Sequence, residues 1–264
     1  MKFDMHCHTS EGSIDSKVSV IEYAHQLKKQ GYQGMLVTDH DSYNGYRYAA
    51  AHPETIPNGF HVIRGIEYDT RDAGHFLVIM PDHVELRLLE LRGMSVDQLT
   101  TVVHSLGGVL GPAHPYGMNS SSAMYMHRMK QDPEVLRRFD FCEGFNSCDR
   151  VSDNERAREL AEKYDLLCVG GSDSHKTDYI GTAYTEFDGP ITSCNDMIEC
   201  IRDHGVTSYG GSEREYSWKN WLRYSFPTTW SFKAFNRGLG LALTPSRNMK
   251  LNRLGLSAIT DFGI

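Results

Sequence analysis

The stretch Gln33-Gly-Met-Leu-Val-Thr-Asp-His40 decides the fold class. A short apolar run closes on Thr38, Asp39 and His40, the pattern of a strand buried on both faces whose carboxyl end reaches a polar rim. Just before it, Val20, Ile21, Ala24 and Leu27 fall on one stripe of a helix running from Val18 to Gln30, with Gly31 as its stop. Further back, Lys2-Phe-Asp-Met-His-Cys-His8 alternates as a first strand. Onward, the strand pattern returns in residues 59–69, 73–80, 107–115, 140–146 and 165–175, several of these runs closing on His, Asp or Glu. Helical stretches separate them. Ser95 with Gln98 and Ser152 with Glu155 read as capping boxes, and a last helix from about Cys194 to His204 precedes the strand-like 205–211.

Strand and helix thus alternate over about 210 residues, which predicts an α/β fold with a parallel sheet and helices outside. Periodicity does not separate a closed barrel from an open doubly wound sheet, but in both the functional residues gather at the carboxyl ends of the strands. A chain of 264 residues buries about three quarters of its unfolded surface and folds without staples, so a metal would serve chemistry before stability.

The polar start and the absence of any stretch near the roughly 18 apolar residues of a membrane span predict a cytoplasmic protein without a membrane partner. Cysteines 7, 142, 148, 168, 194 and 200 form no CxxC pair and read as reduced thiols. A net charge of −7 argues against nucleic acid as the main partner. The charge is uneven: residues 211–264 carry all three Trp (218, 221, 230) and eight Lys or Arg against three acidic residues, which leaves about −12 on the rest. The division expected is a domain over 1–210 and an aromatic-rich extension over 211–264 packed on it, with the alternative that part of the extension borders the active site and contacts an anionic substrate.

Thirteen histidines are the unusual count. Seven of them (25, 52, 61, 83, 104, 127 and 204) read as surface or hydrogen-bonded core residues. The others fall at strand ends. On a strand, residues i and i+2 share a face, so His6 and His8 can share a metal while Cys7 points into the opposite layer. His40 closes the next strand, Glu67 ends Gly-Ile-Glu, His75 follows Ala-Gly, and His114 sits in Pro-Ala-His-Pro. Gly-Gly-Ser-Asp173-Ser-His175 ends the last strong strand.

HxH, TDHD, GIE, GH, AHP and GSDSH, in this order and at these separations, resemble the polymerase and histidinol phosphatase (PHP) family of metalloenzymes over roughly residues 1–205. The resemblance implies a distorted seven-stranded (β/α)7 barrel of the PHP type carrying up to three metals. It implies His6, His8, Glu67 and Asp173 around one metal and His75 and His114, with Glu67 bridging, on a second. Asp15, His40 and His175 would hold the third. Anchoring the comparison on the helix near Val18 selects Asp15, with Glu11 as the alternate.

The residue chemistry agrees: imidazoles and carboxylates without thiolate suit two to three Mn, Fe or Zn ions. The enzyme that the resemblance implies is a metal-dependent phosphoesterase acting on a small phosphorylated metabolite or nucleotide, by in-line attack of a metal-bridging hydroxide on phosphorus. Asp173 would handle the proton of the water and His175 protonate the leaving oxygen. Asn146 and Arg150, at the rim of the strand ending Glu143-Gly-Phe-Asn146, are candidates to bind phosphate oxygens. The rivals are a phosphodiesterase of the same family, a C–N hydrolase of the amidohydrolase type, and a nucleic-acid-processing PHP module.

Overall fold

The computed structural model describes residues 1–117, 121–214 and 226–255. Ten strands lie in three hydrogen-bonded sheets. The first has the order β10-β9-β1-β2-β3, from β1 (Lys2–Cys7), β2 (Gly34–Val37), β3 (His61–Arg64), β9 (Ala183–Phe187) and β10 (Val206–Gly211). The second is β4 (Ile66–Asp69), β5 (His75–Ile79) and β6 (Val109–Pro112); the third pairs β7 (Phe141–Asn146) with β8 (Leu167–Gly171). Parallel bridges join His40 to Glu67 and Cys7 to Ser174, linking the first sheet to the other two at the strand ends.

The sheets are mixed, where an all-parallel arrangement was expected. β5 runs antiparallel to β4 and β6. Only five residues separate β4 from β5, too few for a helical crossover, so the chain turns back as a hairpin. Residues 59–69, expected as one strand, divide at Gly65 into β3 and β4. A Cβ on Gly65 would stand 2.9 Å from the Leu36 side chain, so the bend passes tight against β2.

One apolar core unites the strands. Phe3 and Met5, Leu36, Ile63, Leu77 and Ile79, Val109, Phe141, Val169 and Phe187 meet there with Met197, Ile198 and Ile201 of helix α6 (Cys194–Arg202). Alternate residues of the same strands face outward. Met35, Val37 and Cys7 pack against helix α1 (Val20–Lys29), which confirms the opposite layer expected for Cys7, and Phe76 and Val78 pack beneath helix α3 (Val96–Ser105). The remaining helices are α2 (Asn44–Ala51), α4 (His127–Gln131), α5 (Val151–Tyr164), α7 (Phe226–Ala242) and α8 (Thr244–Arg253).

Local signals hold at most helix ends. Ser19 caps α1 and the chain leaves it through Gly31 at φ +85°. Ser95 and Gln98 form the expected capping box of α3. The box at Ser152 does not form: α5 begins two residues earlier than that cap implies, with Arg150 in extended conformation at its N-cap and no side-chain cap. In the extension, α8 sends Leu251 into the core around α3, and Arg247 donates to the Arg92 carbonyl. Trp218, Trp221 and the side chain of Trp230 lie outside what the structure describes.

Candidate metal centre

Two β-bulges aim the site. Phe3 and Met5 of β1 face the core, so an unbroken strand would send Cys7 there too and turn His6 and His8 outward. The pairing of β1 with β2 instead shifts between Asp4 and Cys7, and the extra residue reverses the alternation. His6 and His8 therefore sit above Met5 on the inner side. β7 does the same between Glu143 and Phe145, which brings both Glu143 and Asn146 inward above Phe141. β5 needs no bulge. Because it runs antiparallel, its first residue, His75, is the one at the rim.

Glu67 is the hub and is wholly buried. One carboxylate oxygen lies 2.8 Å from His75 Nδ1 and 2.9 Å from His114 Nε2. The other lies 2.8 Å from His40 Nδ1, 3.3 Å from His8 Nε2 and 3.5 Å from His6 Nε2, yet accepts no well-directed hydrogen bond. Asp173 Oδ1 stands 3.3 Å from His8 Nε2, 3.7 Å from His6 Nε2 and 3.6 Å from His175 Nδ1. Asp15 reaches in from the outside, 3.3 Å from His175 Nε2 and 3.6 Å from His40 Nε2. Glu11, the alternate, turns away and accepts from the Val20 backbone N–H at the start of α1.

The arrangement fits cations. His6 Nε2 and His8 Nε2 lie 3.0 Å apart and face the same space, so with the protons on Nδ1 both lone pairs would be offered to one cation. The opposite ring nitrogens have partners that fix this tautomer: His6 Nδ1 donates to Glu143 at 3.0 Å, His8 Nδ1 to Ser13 Oγ at 3.2 Å, His114 Nδ1 to Ser122 Oγ at 3.3 Å and His175 Nδ1 to the Asp173 carbonyl at 3.2 Å. Metal-ligating imidazoles are oriented in this way. Four groups of three ligand atoms lie within 4.8 Å of one another: His8–His40–His175, His6–His8–Glu67, His6–His114–Asp173 and His40–Glu67–His75.

The field of the site draws in positive charge. Burial would lift the carboxyl of Glu67, but the imidazoles of His75, His40 and His6 outweigh it and hold it well below the usual carboxylate range. Asp173 is lowered in the same way, against its burial, by His6, His8 and His175. Burial works against protonated imidazoles, yet Glu143, Asp173 and Glu67 raise His6 well above its usual value, and Glu67 raises His114 to about 9. His8 goes the other way, to about 3, through burial and the neighbouring His175 and His40. Cations bound between these carboxylates would supply the charge that protons otherwise bring.

The structure therefore brings together all nine sequence-derived ligand candidates: His6, His8, Asp15, His40, Glu67, His75, His114, Asp173 and His175. Asn146, expected at the rim as a phosphate binder, is instead completely buried and donates to Glu143 Oε2 (3.0 Å) and Asp173 Oδ2 (3.4 Å). The β7 bulge turns it inward, so it holds carboxylates. Arg150 is exposed at the N-cap of α5.

Three supporting acids escaped the sequence reading. Glu143 holds the His6 ring and the His114 backbone N–H. Asp39 ties Thr9 to Ser13 and thus the loop that carries His8 Nδ1's partner. Asp149, next to His114, is pushed up to about 8 by burial. The signal for Glu143 was available: a carboxylate inside an otherwise apolar strand needs a buried partner. Arg214 was missed as well. It donates to the Ser172 and Asp173 carbonyls and lies 4.0 Å over the Tyr179 ring.

Comparison with known proteins agrees with this geometry. Residues 151–205 match a PHP-associated family model. The chain superposes on a candidate metal-dependent phosphoesterase from Bifidobacterium adolescentis with a TM-score of 0.54 at 18% identity, covering 77% of this chain and 96% of that one. Its fold is that of the PHP-like phosphoesterases. A two-domain protein from Bacteroides vulgatus containing a predicted PHP-like metal-dependent phosphoesterase gives a TM-score of 0.60 at 16% identity, over 80% of this chain and 65% of that one. Endonuclease Q, in complex with a duplex carrying an abasic lesion, gives 0.59 at 16%, over 84% and 66%. In sequence, the uncharacterised protein MJ0417 of Methanocaldococcus jannaschii is 33% identical over 86 residues, 32% of this chain and 36% of that protein. The chain thus spans about a third of the length of the curated relative it matches. Among the described residues, no helix is long and apolar enough to cross a membrane.

Proposed function

We propose that the protein is a metal-dependent phosphoesterase that hydrolyses a small phosphorylated metabolite or nucleotide. The observation that carries this reading is the convergence of ring nitrogens of His6, His8, His40, His75 and His114 on Glu67 and of His6, His8 and His175 on Asp173, with the opposite ring nitrogens of His6, His8 and His114 already occupied. Two to three Mn, Fe or Zn ions are proposed, held by His6, His8, Glu67 and Asp173, by His75 and His114, and by Asp15, His40 and His175. When bound, such ions bring water towards a neutral pKa and neutralise phosphoryl oxygens.

The chain's own groups do the rest. Asn146 holds one oxygen of Asp173, which leaves Oδ1 facing His6 and His8 to take the proton of the attacking water. His175 lies at the outer end, a quarter exposed, and is proposed to protonate the leaving oxygen when it is itself protonated and holds no cation. Arg150, exposed beside the same strand end, is proposed to meet the substrate's anionic groups. The shared core of the strands supports a distorted seven-stranded PHP barrel over 1–210, and Leu251 in the core around α3 supports the packing of the described part of 211–264 upon it. Six unpaired cysteines support a reducing, cytoplasmic setting.

The test is phosphate release from a panel of phosphomonoesters, nucleotides and cyclic phosphates, with Asp173→Asn as control. Activity on at least one class, lost in the variant, is expected. A protein that holds metal yet releases phosphate from none overturns the proposal. A second reading, cleavage of nucleic-acid phosphodiesters, is favoured by the likeness to endonuclease Q and by the sequence of α7 and α8, which contains Lys and Arg but no acidic residue. A nicked duplex in the same assay would select it.

A further inference from the structure

A cleft of about 410 Å³ lies away from the metal centre, between the β7–β8 pair and strand β10. Its origin is topological. β10 is the edge of the five-stranded sheet, and β7 and β8 belong to a different sheet. Near the metal centre the two sheets close on each other: a Cβ on Gly170 would stand 3.2 Å from the Gly210 nitrogen, and one on Gly211 would stand 2.9 Å from the Phe145 ring. Towards Cys168 and Val206 they diverge and leave a wedge, with Arg158 of α5 contributing to its wall.

The chemistry of this wedge is one-sided. Arg158 has no hydrogen bond or ion pair among the described residues, and no carboxylate lines the cleft. Burial raises both the Tyr209 hydroxyl and the Cys168 thiol above their usual values, so both are neutral near pH 7 and Arg158 is the one charged group lining the cleft. Phe145 and Tyr209 supply aromatic surface, and Ser208 a hydroxyl. The outer edge of β10 makes no backbone hydrogen bond to another strand among the described residues, so its N–H groups are available as donors. A volume in the range of small-molecule sites, apolar aromatic walls and a few convergent donors are what a pocket for a small organic anion requires.

We propose that this cleft binds a small aromatic monoanion, its ring against Phe145 and Tyr209 and its charge on Arg158. The site is separate from the metal centre and does not depend on the phosphoesterase reading, although it shares strands β7 and β8 with it. An arginine–carboxylate pair of this kind is a strong, geometrically selective contact.

The test is isothermal titration of the full-length, metal-loaded protein with benzoate, and with benzamide as the uncharged counterpart. Three proteins are compared: the wild type, Arg158→Gln and Asp173→Asn, each checked by its melting curve. Saturable benzoate binding at millimolar concentration is expected, with benzamide weaker by about tenfold or more, which is the loss expected when a charged hydrogen bond is removed. Arg158→Gln should weaken benzoate by a similar factor, and Asp173→Asn should leave it unchanged. Absence of saturable binding, or binding that survives Arg158→Gln, or binding lost in Asp173→Asn, overturns the proposal. Should Arg158→Gln fail to fold, Ser208→Trp, which fills the cleft, gives the same reading through loss of benzoate binding.

Discussion

The two ends of the metal centre are built differently. At the deep end, Glu67, His6 and His114 are buried, and each imidazole is backed by a second buried group, Glu143 for His6 and Ser122 for His114. At the outer end, the Asp15 side chain is half exposed, and His40 and His175 are a fifth to a quarter exposed. Ligands held by buried partners have no rotamer freedom left to lose on binding a cation, whereas Asp15 must give up freedom it has in water. In the proposed site the deep end would thus be the permanent seat, and the outer end the place where ions and substrate exchange.

This contrast can be broken at several points. Glu67→Gln should have the largest effect, because Glu67 touches both ends: metal content falls below one equivalent and phosphate release by about a thousandfold, several kcal/mol of lost charge stabilisation. Full metal retention in that variant would show that Glu67 is not the hub. Glu143→Gln contacts no cation directly. Loss of its support for His6 should weaken metal binding at the deep end by about 10- to 100-fold, read by chelator competition.

Asp15→Asn should remove only the outer equivalent. Elemental analysis would then give one metal fewer, and the melting temperature should move much less than on complete stripping, where loss of an ion present at about a hundred times its Kd costs about 2.7 kcal/mol. Equal losses in Asp15→Asn and Glu67→Gln would erase the distinction between the ends. The smallest change in metal affinity is expected for Ser13→Ala, which removes the His8 Nδ1 acceptor along with the hydroxyl's bonds to Asp39 and the His40 N–H; the His8 bond, worth about 1 kcal/mol, is read as a severalfold loss of metal affinity.

The ligand types and their order were legible because strand ends concentrate polar residues in an otherwise apolar pattern. His6, His40, Glu67 and Asp173 could each be found that way. What the pattern does not carry is strand direction and bulge position. His75 opens its strand, and nothing in Ala-Gly-His-Phe-Leu-Val-Ile-Met states that the strand runs backwards; the short link from Asp69 was the available clue. Asn146 looked like a rim residue because a regular β7 would end there pointing outward, and a bulge two residues earlier reversed it. Ser152 failed as a cap since the helix start was fixed by the extended backbone at Arg150, which no side-chain pattern announces.

The bulge in β1 makes the chain's phase a functional quantity. Upstream of it, odd-numbered residues fill the core; downstream, even-numbered ones face the candidate metal site. A substitution at Met5 alters one side chain, but loss of a single residue between Asp4 and His6 would realign two rows at once, turning His6 and His8 towards helix α1 and Cys7 towards the cations. Length at this point is therefore held more tightly than identity. Any alignment of this strand with a relative should be anchored on the histidine pair, with gaps judged by whether they preserve the change of phase.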